Sequence, residues 1–248
     1  MTNIIAEIGL NHLGNYDLAQ EYVDTLNLTS VEGITFQIRE PEFYLRPEKV
    51  HLQLVPSQYE ILSKRIKNSG KSFGVAIADI NQIDFFETLD TDFYKVIRND
   101  ITNKELIAKL IATGKKIIIS TGLSSDDDIN NFIKEFDTSN VVLNHTQLSY
   151  DESDCNLRAI EGMRQRYNLP ISFGSHCKNI NVLYMSLCYN PTDILFYVRK
   201  DNRLYPDHKH AVTLENVHSV VSNINNLTSA PGIEYKLDLG NKIPEMNI

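Results

Sequence analysis

The chain reads as an α/β protein, a (β/α)8 TIM barrel in a single domain, and three observations predict it. Eight short apolar, β-branched runs alternate with eight longer amphipathic ones, the rhythm of βα units repeated around a parallel sheet. The 248 residues, 42% of them hydrophobic, are enough to bury one large core. No GxGxxG follows the first strand, which argues against an open dinucleotide-binding sheet and leaves no nucleotide cofactor to expect.

The units run in order along the chain. Strand 3–7 is an apolar run that hands over to helix 16–26, strand 33–37 to helix 57–68, and strand 72–77 to helix 83–89. Strand 93–96 leads to helix 103–113, which Gly114 closes as a C-cap. Strand 116–120 leads to helix 125–136, where Ser125 supplies the N-cap and Asp126, Asp127 and Asp128 place acids in the first turn. Strands 141–146, 171–174 and 193–198 are followed by helices 157–167, 180–189 and 214–227. The barrel therefore occupies 1–227, and 228–248, with Pro231 and Pro244, reads as a tail that links or docks.

The net charge of −8, with Lys and Arg scattered, argues against a nucleic-acid or membrane partner, and a small anionic or sugar substrate, where it carries negative charge, needs locally placed cations. Three irregularly spaced cysteines suit neither a disulfide framework nor a CxxC metal knuckle and point to a reducing, cytoplasmic setting. The N-terminus lacks the pattern of a signal peptide, and no apolar run is long enough to span a bilayer.

In a barrel of this kind the chemistry gathers where strands end. The run Ala6-Glu7-Ile8-Gly9-Leu10-Asn11-His12 is a hydrophobic strand that ends on a carboxylate and passes into a polar loop. The other tips carry Gln37, Asp79, Lys95, Ser120, Thr146 with Gln147, His176 and, beyond the eighth strand, Asp207. Lys95 is a lone cation in the apolar run Phe93-Tyr94-Lys95-Val96, and burying it costs several kcal/mol unless an anion or a partner carboxylate answers it. Ser120-Thr121-Gly122 offers hydroxyls and a flexible backbone suited to oxyanion contact, or to capping.

These residues, with Phe36-Gln37, Leu106-Ile107, Thr113-Gly114-Lys115, Ser175-His176 and Pro206-Asp207, resemble the sialic acid (N-acetylneuraminate) synthase family in order and spacing over nearly the whole barrel. The resemblance implies a condensation of phosphoenolpyruvate with an N-acylated sugar aldehyde, aided by a divalent metal, Mn2+ or Mg2+. It implies that Glu7, Gln37, Asp207 and Asp100 face the sugar, Asp100 standing where the family usually has Glu. Lys95 and Ser120 would contact phosphoenolpyruvate, and His176 would ligate the metal. Glu7, Lys95 and His176 are thus the catalytic candidates, and Asn11, Gln37, Arg98, Asp100, Ser120, Thr146, Gln147 and Asp207 the substrate-binding ones. The family's barrel is usually followed by an antifreeze-like domain, which this sequence ends before; a homodimer through barrel surfaces and a monomer both stay open.

The departures from the family are specific. A lysine is replaced by Thr35, a Ser-Thr pair by Ala76-Ile77, a serine by Arg98, and the second metal histidine by Val198. The His-Cys-Thr-Asn tip is Asn144-His145-Thr146-Gln147, and the Ser-Asp-His tip is Gly174-Ser175-His176. Arg39, Arg98 and Arg199 lie near strand ends and are candidates to replace lost anion donors, the alternative being solvated loop charges. His145 is expected to share the inward parity of Gln147 and to join His176 in a metal site, with Asp207, His208 or His210 as further ligands. Two readings follow: an enzyme of sugar-acid biosynthesis with an altered pocket, including a Lys95 Schiff-base variant, or a catalytically degenerate relative that binds a sugar or regulates a partner.

Overall fold

Period-two alternation along eight strands produces a closed barrel in the computed structural model, which describes residues 2–232. The strands are β1 (Asn3–Gly9), β2 (Gly33–Ile38), β3 (Ser72–Ile77), β4 (Phe93–Val96), β5 (Lys116–Ser120), β6 (Val141–Thr146), β7 (Ile171–Ser175) and β8 (Asp193–Arg199). All pair in parallel with their sequence neighbours, and β1 also pairs with β8, which closes the ring. The expected TIM barrel is therefore the observed fold. A further strand, β9 (Val212–Thr213), adds beside β8 through Val198 and Arg199.

The helices are α1 (Tyr16–Asn27), α2 (Pro41–Tyr44), α3 (Pro56–Asn68), α4 (Ile83–Thr88), α5 (Lys104–Ala112), α6 (Asp126–Glu135), α7 (Ala159–Tyr167), α8 (Asn181–Ser186) and α9 (Leu214–Leu227). Local chemistry sets their ends. The Asn15 side chain accepts from the Leu18 amide at the start of α1, and Ser125 and Asp128 form a capping box on α6. Gly114 takes φ of 69° just past α5, as a helix stop requires. Helix α2 and strand β9 are too short to leave a period, and both fall in stretches that read as loops. The expected tail lies outside the described residues from 233 onward. No helix among the described residues is long and apolar enough to cross a membrane.

Two hydrophobic populations result from the alternation. Outward residues such as Tyr94, Val96, Leu143 and Phe196 pack under the helices in the large core. Inward residues Ile5, Phe93, Ile118, Val142 and Leu195 form a separate cluster that fills the barrel. Gly33 and Gly74 make room for the Phe93 ring: a Cβ at Gly74 would lie 2.2 Å from its Cζ. Below this plug, Lys116 reaches Asp193 at 2.6 Å. Two residues further along the strands, the inward positions turn polar, and the next layer is the site.

Candidate active site

Glu7 follows Ile5, Lys95 follows Phe93, Ser120 follows Ile118 and Tyr197 follows Leu195, each two residues on and thus on the same inward face. Lys95 Nζ donates to Glu7 Oε1 at 2.5 Å, with the side chains 5% and 3% exposed. Strands β1 and β4 are not neighbours, so this ion pair crosses the barrel interior. It spends one of the three ammonium protons, and Lys95 also lines the cavity above.

That cavity, about 320 Å³, opens at the carboxyl ends of the strands and is lined by Gln37, Lys95, Ser120, Thr146, His176, Tyr197 and Asp207, with Arg39 and Arg98 on one side. Leu10, Phe43 and Leu52 cover another side as a small hydrophobic cluster of their own. The volume falls within the range of small-molecule sites.

Electrostatics divide the cavity. Burial first, and then the Glu7 carboxylate, push the Asp207 carboxyl up to about 7. Burial, reinforced by His210 and the Lys95 charge, lowers His176 to about 3, and burial with Lys95 lowers His210 to about 4, so both rings are neutral near pH 7. The rings lie close together, their centroids 4.5 Å apart. Tyr197 stands edge-on to His210 at 5.1 Å and is held well above its usual range by burial, then by Glu7 and Asp207. Gly9, at φ of 56°, sits under this group; a Cβ there would meet Tyr197 Cε1 at 2.9 Å and Asp207 Oδ2 at 3.5 Å.

The expected residues are distributed unevenly. Glu7, Gln37, Lys95, Ser120, Thr146, His176 and Asp207 converge, with Thr146 Oγ1 buried and without a hydrogen-bond partner among the described residues. Asn11 does not line the cavity. Its Nδ2 donates to the Val198 carbonyl at 2.8 Å, and its Oδ1 accepts from the Asp207 amide at 3.1 Å, so it positions Asp207. Arg98 lines the cavity, but its guanidinium is engaged by Glu40 at 2.8 Å and Asp100 at 2.9 Å. Arg39 forks onto the same Glu40. Asp100 thus serves Arg98 at the rim, and Gln147 lies outside the lining. Arg199 turns to the Ala211 carbonyl and to Asn202.

His145 departs from the inward placement expected of it. It shares parity with Leu143, not with Val142 and Thr146; its ring packs 6.2 Å from Phe173, and its Nε2 lies 2.9 Å from the Cys155 carbonyl. The polar character of the tip hid a one-residue difference in facing. Sequence reasoning missed Tyr197, whose signal was its two-residue spacing from inward Leu195.

The chemistry of the donor set bears on a metal. Two neutral imidazoles, His176 and His210, suit a first-row divalent ion, and both His210 nitrogens are buried with no hydrogen-bond partner among the described residues. No group of three His, Cys, Asp or Glu side chains that could hold a metal ion occurs among the described residues.

The NeuB family model matches residues 24–236. An uncharacterized protein of Methanocaldococcus jannaschii is 27% identical over 98% of this chain and 74% of its own length. The N,N'-diacetyllegionaminic acid synthase of Legionella pneumophila is 26% identical over 97% of this chain and 76% of its own. Among solved structures, the N-acetylneuraminic acid synthetase of Leptospira borgpetersenii in complex with citrate superposes with a TM-score of 0.88 at 22% identity, covering 97% of this chain and 88% of that one.

Proposed function

The chain belongs to the NeuB family, and from that premise we propose that it is a sialic-acid-synthase-like enzyme that joins a phosphoenolpyruvate-type donor to a sugar aldehyde. The observation that carries this reading is the convergence of the Lys95–Glu7 pair, Asp207 and His176 around one cavity at the strand ends.

The residues divide the work by their chemistry. The two ammonium protons of Lys95 not given to Glu7, with the Ser120 and Thr146 hydroxyls, seat the donor's carboxylate and phosphate oxygens. Gln37 and the rim around Asp100 orient acceptor hydroxyls. In the reaction, carbon three of the donor attacks the aldehyde carbon, water adds at carbon two, and the carbon–oxygen bond to phosphate breaks, giving a 2-keto acid and inorganic phosphate. Asp207, titrating at about 7, delivers a proton to the aldehyde oxygen as it becomes a hydroxyl. Glu7, fixed by Lys95, accepts a proton from the attacking water. His176 is the residue that would hold a divalent ion, and such an ion would supply Lewis-acid polarisation of the aldehyde carbonyl. The carboxylate seated on Lys95 argues against the Schiff-base variant, which calls for an amine free of such a partner.

Phosphate release from phosphoenolpyruvate in the presence of Mn2+ and a panel of N-acylated amino-sugar aldehydes tests the reading. The expected result is release that depends on one sugar and falls at least about a hundredfold in Asp207→Asn. Folded protein that releases none with any sugar would overturn it. The internal pairing of Arg39 and Arg98 with Glu40 and Asp100 favours a second reading, a relative that binds sugar without turnover; saturable sugar binding without phosphate release would establish that instead.

A further inference from the structure

We infer that Glu40 is a resident anion on an arginine subsite at the rim of the cavity, and that the acceptor sugar carries an anionic group, a phosphate or a carboxylate, which takes its place. The inference rests on the reading above and names the class of acceptor that the same cavity selects.

The subsite is built at the ends of the two strands that flank β3. Arg39 follows β2 and Arg98 lies two residues past β4, so both reach the same wall of the cavity, where Lys49 joins them. Glu40 accepts from Arg39 Nε and Nη2 at 3.0 Å each and from Arg98 Nη1 at 2.8 Å. One carboxylate thus takes three charge-assisted bonds from two guanidinium groups, the donor fork that suits a ligand's phosphate or carboxylate equally well. The Phe43 ring, with its centroid 4.1 Å from Arg39 Cζ, supports the first guanidinium, and Asp100, on Arg98 Nη2 at 2.9 Å, holds the second.

The wall carries more positive charge than this pairing uses. Three cations, Arg39, Lys49 and Arg98, meet two carboxylates, Glu40 and Asp100, and Lys49 has no ion-pair partner among the described residues. Arg98 is also strained into place. Its φ of 55° is a left-handed conformation that a side chain disfavours, and its Nε is buried with no hydrogen-bond partner among the described residues. A loop charge that only met solvent would need neither.

Position assigns the anion to the acceptor. Lys95 belongs to β4 itself and pairs with Glu7 inside the barrel, whereas Arg98 stands beyond the end of that strand, at the mouth. An aldehyde carbon brought to the donor on Lys95 turns the far end of its sugar outward, toward the arginines. A neutral end leaves Glu40 where it is. An anionic end competes for the same three donors, and Glu40, 23% exposed, can turn to water.

The test titrates the full chain by calorimetry with N-acetylmannosamine, its 6-phosphate and the corresponding uronic acid, and separately with phosphoenolpyruvate. Wild type is expected to bind one anionic sugar at least about tenfold tighter than the neutral one, the phosphate and carboxylate arms telling which group fits. Folded Arg39→Gln loses that preference, as does Arg98→Gly, which removes the guanidinium and suits a φ of 55°. Glu40→Gln binds the anionic sugar at least about threefold tighter than wild type, since the competitor is gone. Equal affinity for neutral and anionic sugars, no binding of any of them at millimolar concentration, a Glu40→Gln that binds no tighter, or a loss in Arg98→Gly that falls on phosphoenolpyruvate instead would overturn the inference. Anion preference that needs both arginines in a protein that releases no phosphate supports this subsite and removes the reaction; phosphate release equally fast with neutral and anionic sugars removes this subsite alone.

Discussion

Lys95 and Glu7 form a charge pair whose members each need the other, because both side chains are almost wholly buried. Lys95→Met strands a buried carboxylate and is expected to lower stability by about 3–5 kcal/mol in urea unfolding. The double variant Glu7→Gln/Lys95→Met removes both charges and is expected to recover most of that loss; no recovery would contradict the pairing. Asp207 gives a second prediction, in pH. Its folded pKa of about 7 lies above the ordinary carboxylate value near 4. Between those values the folded chain holds a proton that the unfolded chain has released, so this group's contribution to stability is full below about pH 4 and is lost by about pH 7. Asp207→Asn is expected to gain stability relative to wild type across that window, read from paired urea curves at pH 4.5 and 7.5. At this scale the sequence is legible where a polar residue interrupts an apolar strand, as at Glu7, Lys95 and Ser120. It is opaque at His145 and Tyr197, whose facing depends on a one-residue parity that composition does not reveal.

Strand β3 shows how an element without chemistry shapes the site. Its Gly74 leaves the interior volume that Phe93 of β4 fills, and Phe93 is the floor on which Lys95 stands two residues later. Gly74→Ala is expected to cost about 1–3 kcal/mol by overpacking, lowering Tm by about 2–4 °C per kcal/mol. Phe93→Leu in the same background should relieve most of it; an undiminished loss would place the strain elsewhere. Strand bounds were readable because alternation and flanking polar residues coincide: 72–77, 93–96, 116–120 and 141–146 appear as β3, β4, β5 and β6 without a shift. Strand β9 was not readable. Two residues carry no period, and only the pairing of Val212 with Val198 and of Thr213 with Arg199 makes them a strand.

The whole molecule carries net charge −8, while the cavity's cations are nearly all matched by their own carboxylates. Long-range attraction therefore contributes little to capturing an anion, and recognition depends on short contacts inside the barrel mouth. The (β/α)8 architecture was legible because eight units of similar length repeat. The Arg98–Glu40 pair was not, since it joins the ends of β2 and β4 only once both strands are in register on either side of β3. All of this rests on one cavity gathering Lys95, Ser120 and His176 to seat a phosphoenolpyruvate-type anion. Calorimetric titration with phosphoenolpyruvate, comparing wild type with Glu7→Gln/Lys95→Met, tests this most directly. Saturable binding by wild type is expected, weakening at least about tenfold in the charge-free variant, a loss of about 1.4 kcal/mol or more; equal affinity in both folded proteins, or no binding by either, would refute such seating.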